Sequence, residues 1–446
     1  MLLKFLKHEY LTPILTLGVS FYYGGNNLYP LLISIISLSG YYLLFPINYN
    51  QEKIPKSLIM SICIVFIYLI FQNLPLPSFI VSLLSPKSFS LYNRLFESGS
   101  WMTISLNPLL TLKYIFSLIL FFIIIIVTPH IIDTKIKLRS LWLTVIVIGF
   151  IHVIFGLIVY FFQITEIVFY KKIYYLNAVT GLFINRNNFS FFCVLMFINT
   201  IYFYNFSSKY FYFSKSKSLI SFLMSDLFII RLVLVLFAVA IILTKSRAGN
   251  LTFFIGLLMM LYMDLKTHKK WTFFSKTLLT VLIIDILFLS YYLGSEGLIE
   301  RISVSTFEGE ASRWEIFIYG FKKILEFPLF GYSMGNFSTL FRIELFQGGL
   351  FYDHVHNDFI EFIGELGLIG VLVFFLFFYF YRKQYLVIKK SQKIITDIQK
   401  LLLVTFVVIL VHGFFDFGIH IPSNIILIGW ILGMGLTPLS RSIKKN

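Results

Sequence analysis

Charge is what this 446-residue sequence has least of: Asp, Glu, Lys and Arg together make up 13%, where a soluble domain carries about a quarter. That excludes a water-soluble fold of this size, and the 58% of apolar residues make lipid the solvent for most of the chain. Cysteine is nearly absent as well. Cys63 and Cys193 both lie inside apolar runs, which excludes a disulfide framework and a cysteine zinc site. Acidic residues number 21 against 37 basic ones. The Lys and Arg are nonetheless scattered between apolar runs rather than gathered on one soluble face, so nucleic acid is excluded as a partner. There is no Asp-x-Asp pair to hold a metal, Glu308 and Glu310 being the nearest substitute, and no metal or cofactor is expected. Internal repeats, low-complexity tracts, a soluble domain and paired broken helices of the transporter kind are all missing. No small-residue cleavage signal follows the basic start of MLLKFLKHEYLTPILTLGVSFYYGG, which reads as a retained first helix.

What is present is a series of apolar runs. A bilayer core about 30 Å thick needs roughly 20 apolar residues per helix, and about twelve stretches approach that length. They run from 9 to 23, 28 to 45, 57 to 74, 109 to 128, 138 to 162, 189 to 206, 227 to 244, 250 to 265, 277 to 293, 359 to 381, 401 to 414 and 423 to 437. The expected fold is an all-α membrane protein, one polytopic domain over 1–446, with a single large outer loop at 294–358 that contains short helices. Aromatics reach 19%, 53 of them Phe, which suits lipid-facing helices and implies no cofactor. With the amino terminus inside, nearly two thirds of the Lys and Arg fall on inner connections, so both termini are predicted to be cytoplasmic.

Several polar strings interrupt this pattern. TKSRAGNL places Lys245 and Arg247 in a short outer turn. One reading is snorkelling to phosphate headgroups; the other is an anion site, with Gly249 and the following helix start adding N–H groups. VHNDFIEFIGELGLIG opens the tenth helix. There Asn357 or Asp358 caps the helix, Glu361 makes a capping box, and His356, which capping leaves unexplained, is a candidate general base. In the large loop, Arg313 is either a partner of Arg247 or a solvated arginine. The stretch from Phe321 to Phe327 is amphipathic and suits a membrane surface, and PLFGYSMGNF is a glycine-rich turn. GLFINRNNF offers Arg186 and Asn187, and HGFFDFGIHIPSN offers His412, Asp416 and His420. Asp416 is suited to orient a histidine or pair with an arginine, and buried pairs of that kind also serve structure alone. The predicted topology puts all five groups on one side.

From about Pro75 onward, the ordered strings LSPKSFSLYNR, SLNPLLTLKY, GLFINRNNF, TKSRAG, PLFGYSMGNF, HNDFIEFIGELGLIG and DFGIHIPSN resemble the O-antigen ligase and polymerase family of bacterial membrane glycosyltransferases. The resemblance implies an inner-membrane enzyme whose active site faces the periplasm. Its donor would be a glycan on polyprenyl pyrophosphate and its acceptor a hydroxyl of lipid A-core, of another glycan or of a protein, with inversion and no required metal. It further implies that Arg247 and Arg313 bind the pyrophosphate and His356 activates the acceptor; from the polar strings themselves, Lys245, Arg186, Asn187, Asn357, Asp416 and His420 are expected as substrate contacts. A ligase-like enzyme is the leading expectation, ahead of a polymerase or a protein O-oligosaccharyltransferase. A lipid-linked oligosaccharide flippase would instead need ionisable residues facing a mid-bilayer cavity, where only Asp285 and Arg231 stand out. A purely structural subunit would tolerate substitution at Arg247 and His356.

Overall fold

The computed structural model of the chain describes residues 7–49, 53–95, 99–167, 170–211, 226–293, 310–345, 352–391 and 394–439. Lipid offers no hydrogen bonds, so a spanning backbone must satisfy itself within the helix. The apolar runs obey. Seven helices among the described residues are long and apolar enough to cross a membrane. They are α3 (Lys56–Asn73), α6 (Pro108–Ile131), α7 (Lys135–Phe161), α8 (Arg186–Tyr210), α10 (Arg247–His268), α14 (Asp358–Lys390) and α15 (Thr396–Phe415). Shorter apolar helices are α2 (Leu28–Leu44), the Phe228–Leu243 part of α9 (Asp226–Leu243), and α16 (Pro422–Gly435). With α1 (His8–Leu17) and α11 (Phe273–Leu293), the protein is a multi-pass α-helical membrane protein. Each of the twelve predicted stretches overlaps one of these helices, but among the described residues only seven have the length and apolarity of a crossing helix, so the expected count of about twelve spans is not reached.

The first span is the least regular. The α-helix stops at Leu17 and gives way to 3₁₀ turns at Gly18–Phe21 and Tyr23–Gly25. Gly24 and Gly25 have φ of 66° and 77°, which helical backbone cannot adopt, so the predicted stretch to Tyr23 is not one rod. In the centre of the bundle, α8 carries FSFFCVLMFINTIYFYNF, apolar around its whole circumference, and 89% of its most apolar window is buried inside the protein. A helix without a polar face belongs in a core. It packs against α7, α9, α10, α15 and α16. Gly429 and Gly433 let α16 approach Phe121 and Thr128 of α6 closely, as small residues do between membrane helices.

Outside this bundle lies a second, smaller core. It joins α5 (Pro86–Leu95), α12 (Glu310–Glu326) and α13 (Phe337–Glu344) through Leu91, Ile316, Phe327, Leu340 and Phe341, and it takes in Val355. An ionic cluster ties the same three helices. Lys87 lies 3.0 Å from Glu326 and 3.2 Å from Glu344, while the buried Lys323 pairs with Glu326 at 2.6 Å and with Glu344. The predicted amphipathic stretch forms the end of α12, with Phe327 just beyond it, and one face of the helix leaves Trp314, Ile318, Phe321 and Leu325 exposed. A two-residue antiparallel ladder, β1 (Leu76–Pro77) with β2 (Trp101–Met102), lies beside α4 (Ser78–Leu84); another, β3 (Glu166–Ile167) with β4 (Tyr170–Lys171), precedes α8. Of the large predicted loop, residues 294–309 and 346–351 lie outside the described residues, and with them Glu308.

One long helix is broken. In α14, Gly367 has φ 61° and ψ −178°, a backbone region open essentially to glycine alone. The PLFGYSMGNF turn fills the break. Tyr332 and Ser333 donate backbone N–H groups to Gly364 and Glu365 (3.1 and 2.9 Å), while Leu368 and Ile369 donate to Pro328 and Leu329 (2.9 and 3.1 Å). From α3, Tyr68 donates to the Leu366 carbonyl and Gln72 to the Glu365 carbonyl. The backbone groups freed by the break are thus satisfied by protein, the condition for a helix interruption at membrane depth.

Candidate active site

Two short segments meet at one end of the bundle: residues 354–358, which lead into α14, and residues 416–420, which link α15 to α16. Val355 anchors the first in the outer core, and Asn357 caps α14 by accepting from Phe359 and Ile360 (3.1 and 3.0 Å). The capping residue is therefore Asn357, and the predicted capping box does not form. Glu361 lies one residue too far along for it and accepts instead from the Val355 N–H (2.8 Å) and His354 Nδ1 (2.6 Å).

His356 sits between these anchors with φ 57°, a left-handed backbone uncommon outside glycine. Seven described non-glycine residues have positive φ, and three of them, Lys245, Ser333 and His356, fall in the polar strings. Its Nδ1 lies 3.2 Å from Asp416 Oδ1, and its side chain is 20% exposed against 1% for Asp416. Asp416 also accepts from its neighbour's N–H at Phe417 (2.9 Å) and from Asn187 Nδ2 (2.5 Å). Burial alone would push this carboxyl up, but the hydrogen bond and charge of His356, helped by the other contacts, hold it at about 2. An ionised carboxylate only accepts, so Nδ1 carries a proton in this contact, and in the neutral ring the lone pair falls on Nε2.

Beneath lies a fully enclosed group whose members the sequence reading offered separately, His420 as a substrate contact and Asp358 and Glu361 as capping residues, without joining them or adding Glu365. Asp358, Glu361 and Glu365 point from one face of α14 at His420. Nδ1 of His420 lies 2.5 Å from Asp358, and Nε2 lies 3.2 Å from Glu365 and 3.7 Å from Glu361. Burial works against a charged imidazole, but the two glutamates and the bonds from Asp358 and Glu365 raise the His420 pKa well above the ordinary value. Glu361, Glu365 and His420 bring one ligating atom each within 4.8 Å of one another. They are the described residues closest to a cation site. The i, i+3, i+7 spacing of the three acids inside an apolar run was the available signal, since it sets them on one helix face.

Arg247 occupies the first turn of α10 and is exposed. The Gly249 N–H, expected to face an anion, is taken by Ser246 Oγ (3.0 Å) as the helix cap. Gly249 also packs so closely on α8 that a Cβ there would meet Ser190 Cβ at 2.5 Å. Ser190 lies one turn after Asn187, which reaches Asp416. Arg247 and His356 are therefore at the same end of the bundle, joined through the first turn of α8. Lys245 is half-buried in the same turn with φ 55°, and the Arg186 guanidinium lies 5.1 Å from the Tyr175 ring centroid. Asn187, Asn357, Asp416 and His420, expected as substrate contacts, direct polar atoms at protein partners: Asn357 Nδ2 donates to the Phe414 carbonyl (3.1 Å), and His420 is enclosed. Arg313 belongs to the first turn of α12; its side chain lies outside the described residues. His412, stacked 4.3 Å from Phe191, is buried with neither ring nitrogen hydrogen-bonded.

Residues 232–375, about a third of the chain, match the family model described as O-antigen ligase. The matched stretch contains Lys245, Arg247, Arg313, His356 and Asn357, and ends before Asp416 and His420. No curated protein matches the chain.

Proposed function

We propose that this membrane protein, with its O-antigen ligase family segment at residues 232–375, is a ligase-like glycosyltransferase. It transfers a glycan from polyprenyl pyrophosphate to a hydroxyl of lipid A-core at the periplasmic face of the bacterial inner membrane, with both termini cytoplasmic. The observation that carries this reading is the His356–Asp416 pair, whose Nε2 has no hydrogen-bond partner among the described residues and lies at the bundle end that also bears Arg247.

The chemistry follows from those groups. Asp416 fixes the tautomer of His356, so Nε2 accepts the proton of the acceptor hydroxyl as its oxygen attacks the anomeric carbon. The anomeric carbon–oxygen bond to the diphosphate breaks, its electron pair leaves with the diphosphate, and the configuration inverts. Negative charge then grows on the leaving group, where fixed cations are most useful. Arg247, with Arg313, supplies them, because arginine stays charged and grips phosphate with a fork of donors. A flippase would draw on mid-membrane charges. Of the two candidates, Arg231 donates to Tyr204 (2.7 Å), and Asp285 is buried with neither oxygen bonded.

Arg247→Ala and His356→Ala should each bring transfer below detection in glycan profiles while the protein still inserts. Normal glycan profiles from stably expressed variants would remove the assignment. A deletion strain separates the acceptors: free lipid-linked polymer beside bare core marks a ligase, whereas core bearing one repeat marks a polymerase. A loss confined to glycoproteins marks a protein O-oligosaccharyltransferase.

A further inference from the structure

We infer that His420 is a positioning residue for His356, an enclosed imidazolium that clamps the loop bearing the base to the α15–α16 link. The inference rests on the proposed function, since it assigns His356 the reacting position. Its basis is geometric. Both ring nitrogens of His420 face carboxylate oxygens, Asp358 on one side and Glu365 with Glu361 on the other. Three carboxylates around one ring make that ring the donor on both edges.

The clamp has a direct route to the base. Asp358 is two residues beyond His356, and its other oxygen accepts the Ile419 N–H (3.2 Å). The Asp358 N–H donates to the Asp416 carbonyl (3.2 Å), while the Asp416 side chain holds His356. The two segments are therefore laced by backbone and side-chain bonds, and His420 is the one group there that neutralises Asp358. Other ionisable groups facing the cluster are His354, 5.7 Å from the His420 ring, and Tyr114, 6.0 Å from it, with Lys113 above the Tyr114 ring. Phe362 covers one side of the imidazole at 4.3 Å. Without His420 the buried Asp358 loses its counter-charge, and the stretch that sets His356 at φ 57° loses its anchor.

The test uses purified full-length wild type, His420→Gln, Asp358→Asn and His356→Ala with a lipid-linked donor and its acceptor. For His420→Gln the expected result is a cooperatively melting protein whose kcat falls about 10²-fold, the scale of an ångström-size misplacement, while the donor KM changes by less than about 2-fold. Asp358→Asn, which keeps the side-chain shape, should show the same split and stands in if His420→Gln does not fold. A kcat within about 3-fold of wild type in either folded variant, with His356→Ala inactive, overturns the inference. So does one divalent metal ion per wild-type chain that is lost in His420→Gln, because Nε2 would then be a metal ligand rather than a donor. An active His356→Ala would instead refute the proposed function itself.

Discussion

His356 combines a backbone at φ 57° with a ring tied to a buried carboxylate, and such a side chain leaves that state only at a cost to the segment that holds it. Left-handed backbone at a bulky residue costs on the order of 1–3 kcal/mol, here offset by Val355 in the outer core and by the capping of α14. Replacing His356 with Ala should lower transfer by about 10²- to 10⁴-fold and leave donor binding intact, as titration with labelled donor can show. Asp416→Asn keeps the shape but replaces an acceptor-only carboxylate with an amide that can donate to Nδ1 and favour the wrong tautomer, and a loss of up to about 10⁴-fold in kcat is expected; unchanged kcat would mean that the carboxylate does not direct the ring. A stability signature follows. The folded Asp416 pKa of about 2 lies below the ordinary value of about 3.9. Its contribution, on the order of 2 kcal/mol, is present above the ordinary value and lost as pH falls through about 2. The melting difference between wild type and Asp416→Asn should close as pH falls from about 5 toward 2. A difference that widens on acidification would contradict the sign.

At the scale of elements, the break in α14 and the outer core do most to place the site. Gly367→Ala would put a Cβ 2.5 Å from the Leu329 carbonyl oxygen in a backbone region closed to alanine, at a cost of at least 1–3 kcal/mol. The variant should accumulate poorly on membrane blots, and normal accumulation would show that the turn can give way. Lys323→Met leaves Glu344 and Glu326 with Lys87 as their cation and Tyr319 as a donor to Glu344, and losing one charge-assisted partner costs about 1.5–3 kcal/mol. Limited proteolysis should then cut in α12 or α13 while the bundle resists. The helices were legible in the sequence because apolar length is a local property. The break was not, since LGLIG is apolar throughout and only the remote PLFGYSMGNF turn makes the interruption tolerable. His356 was visible because capping left it unexplained. The partnership of Asp358 with His420 spans 62 residues of chain, which no spacing rule reaches.

At the scale of the whole molecule, the site end joins a lipid-immersed bundle to a small core outside it, and α14 belongs to both. Its portion before the break carries Asp358, Glu361 and Glu365; its portion after it, Leu368 to Lys390, is a rod about 35 Å long at 1.5 Å per residue. At Gly367 the Leu368 and Ile369 N–H groups bond to Pro328 and Leu329 instead of to the preceding turn of the helix, so the two portions are coupled less directly than in an unbroken rod. A bilayer thicker or thinner than this rod tilts it by an amount set by mismatch, and the glycine joint absorbs that tilt before it reaches His356. Turnover in reconstituted vesicles should therefore vary less than about 2-fold across acyl chains from 16 to 20 carbons. The enzyme would keep its chemistry level while the membrane around it changes depth.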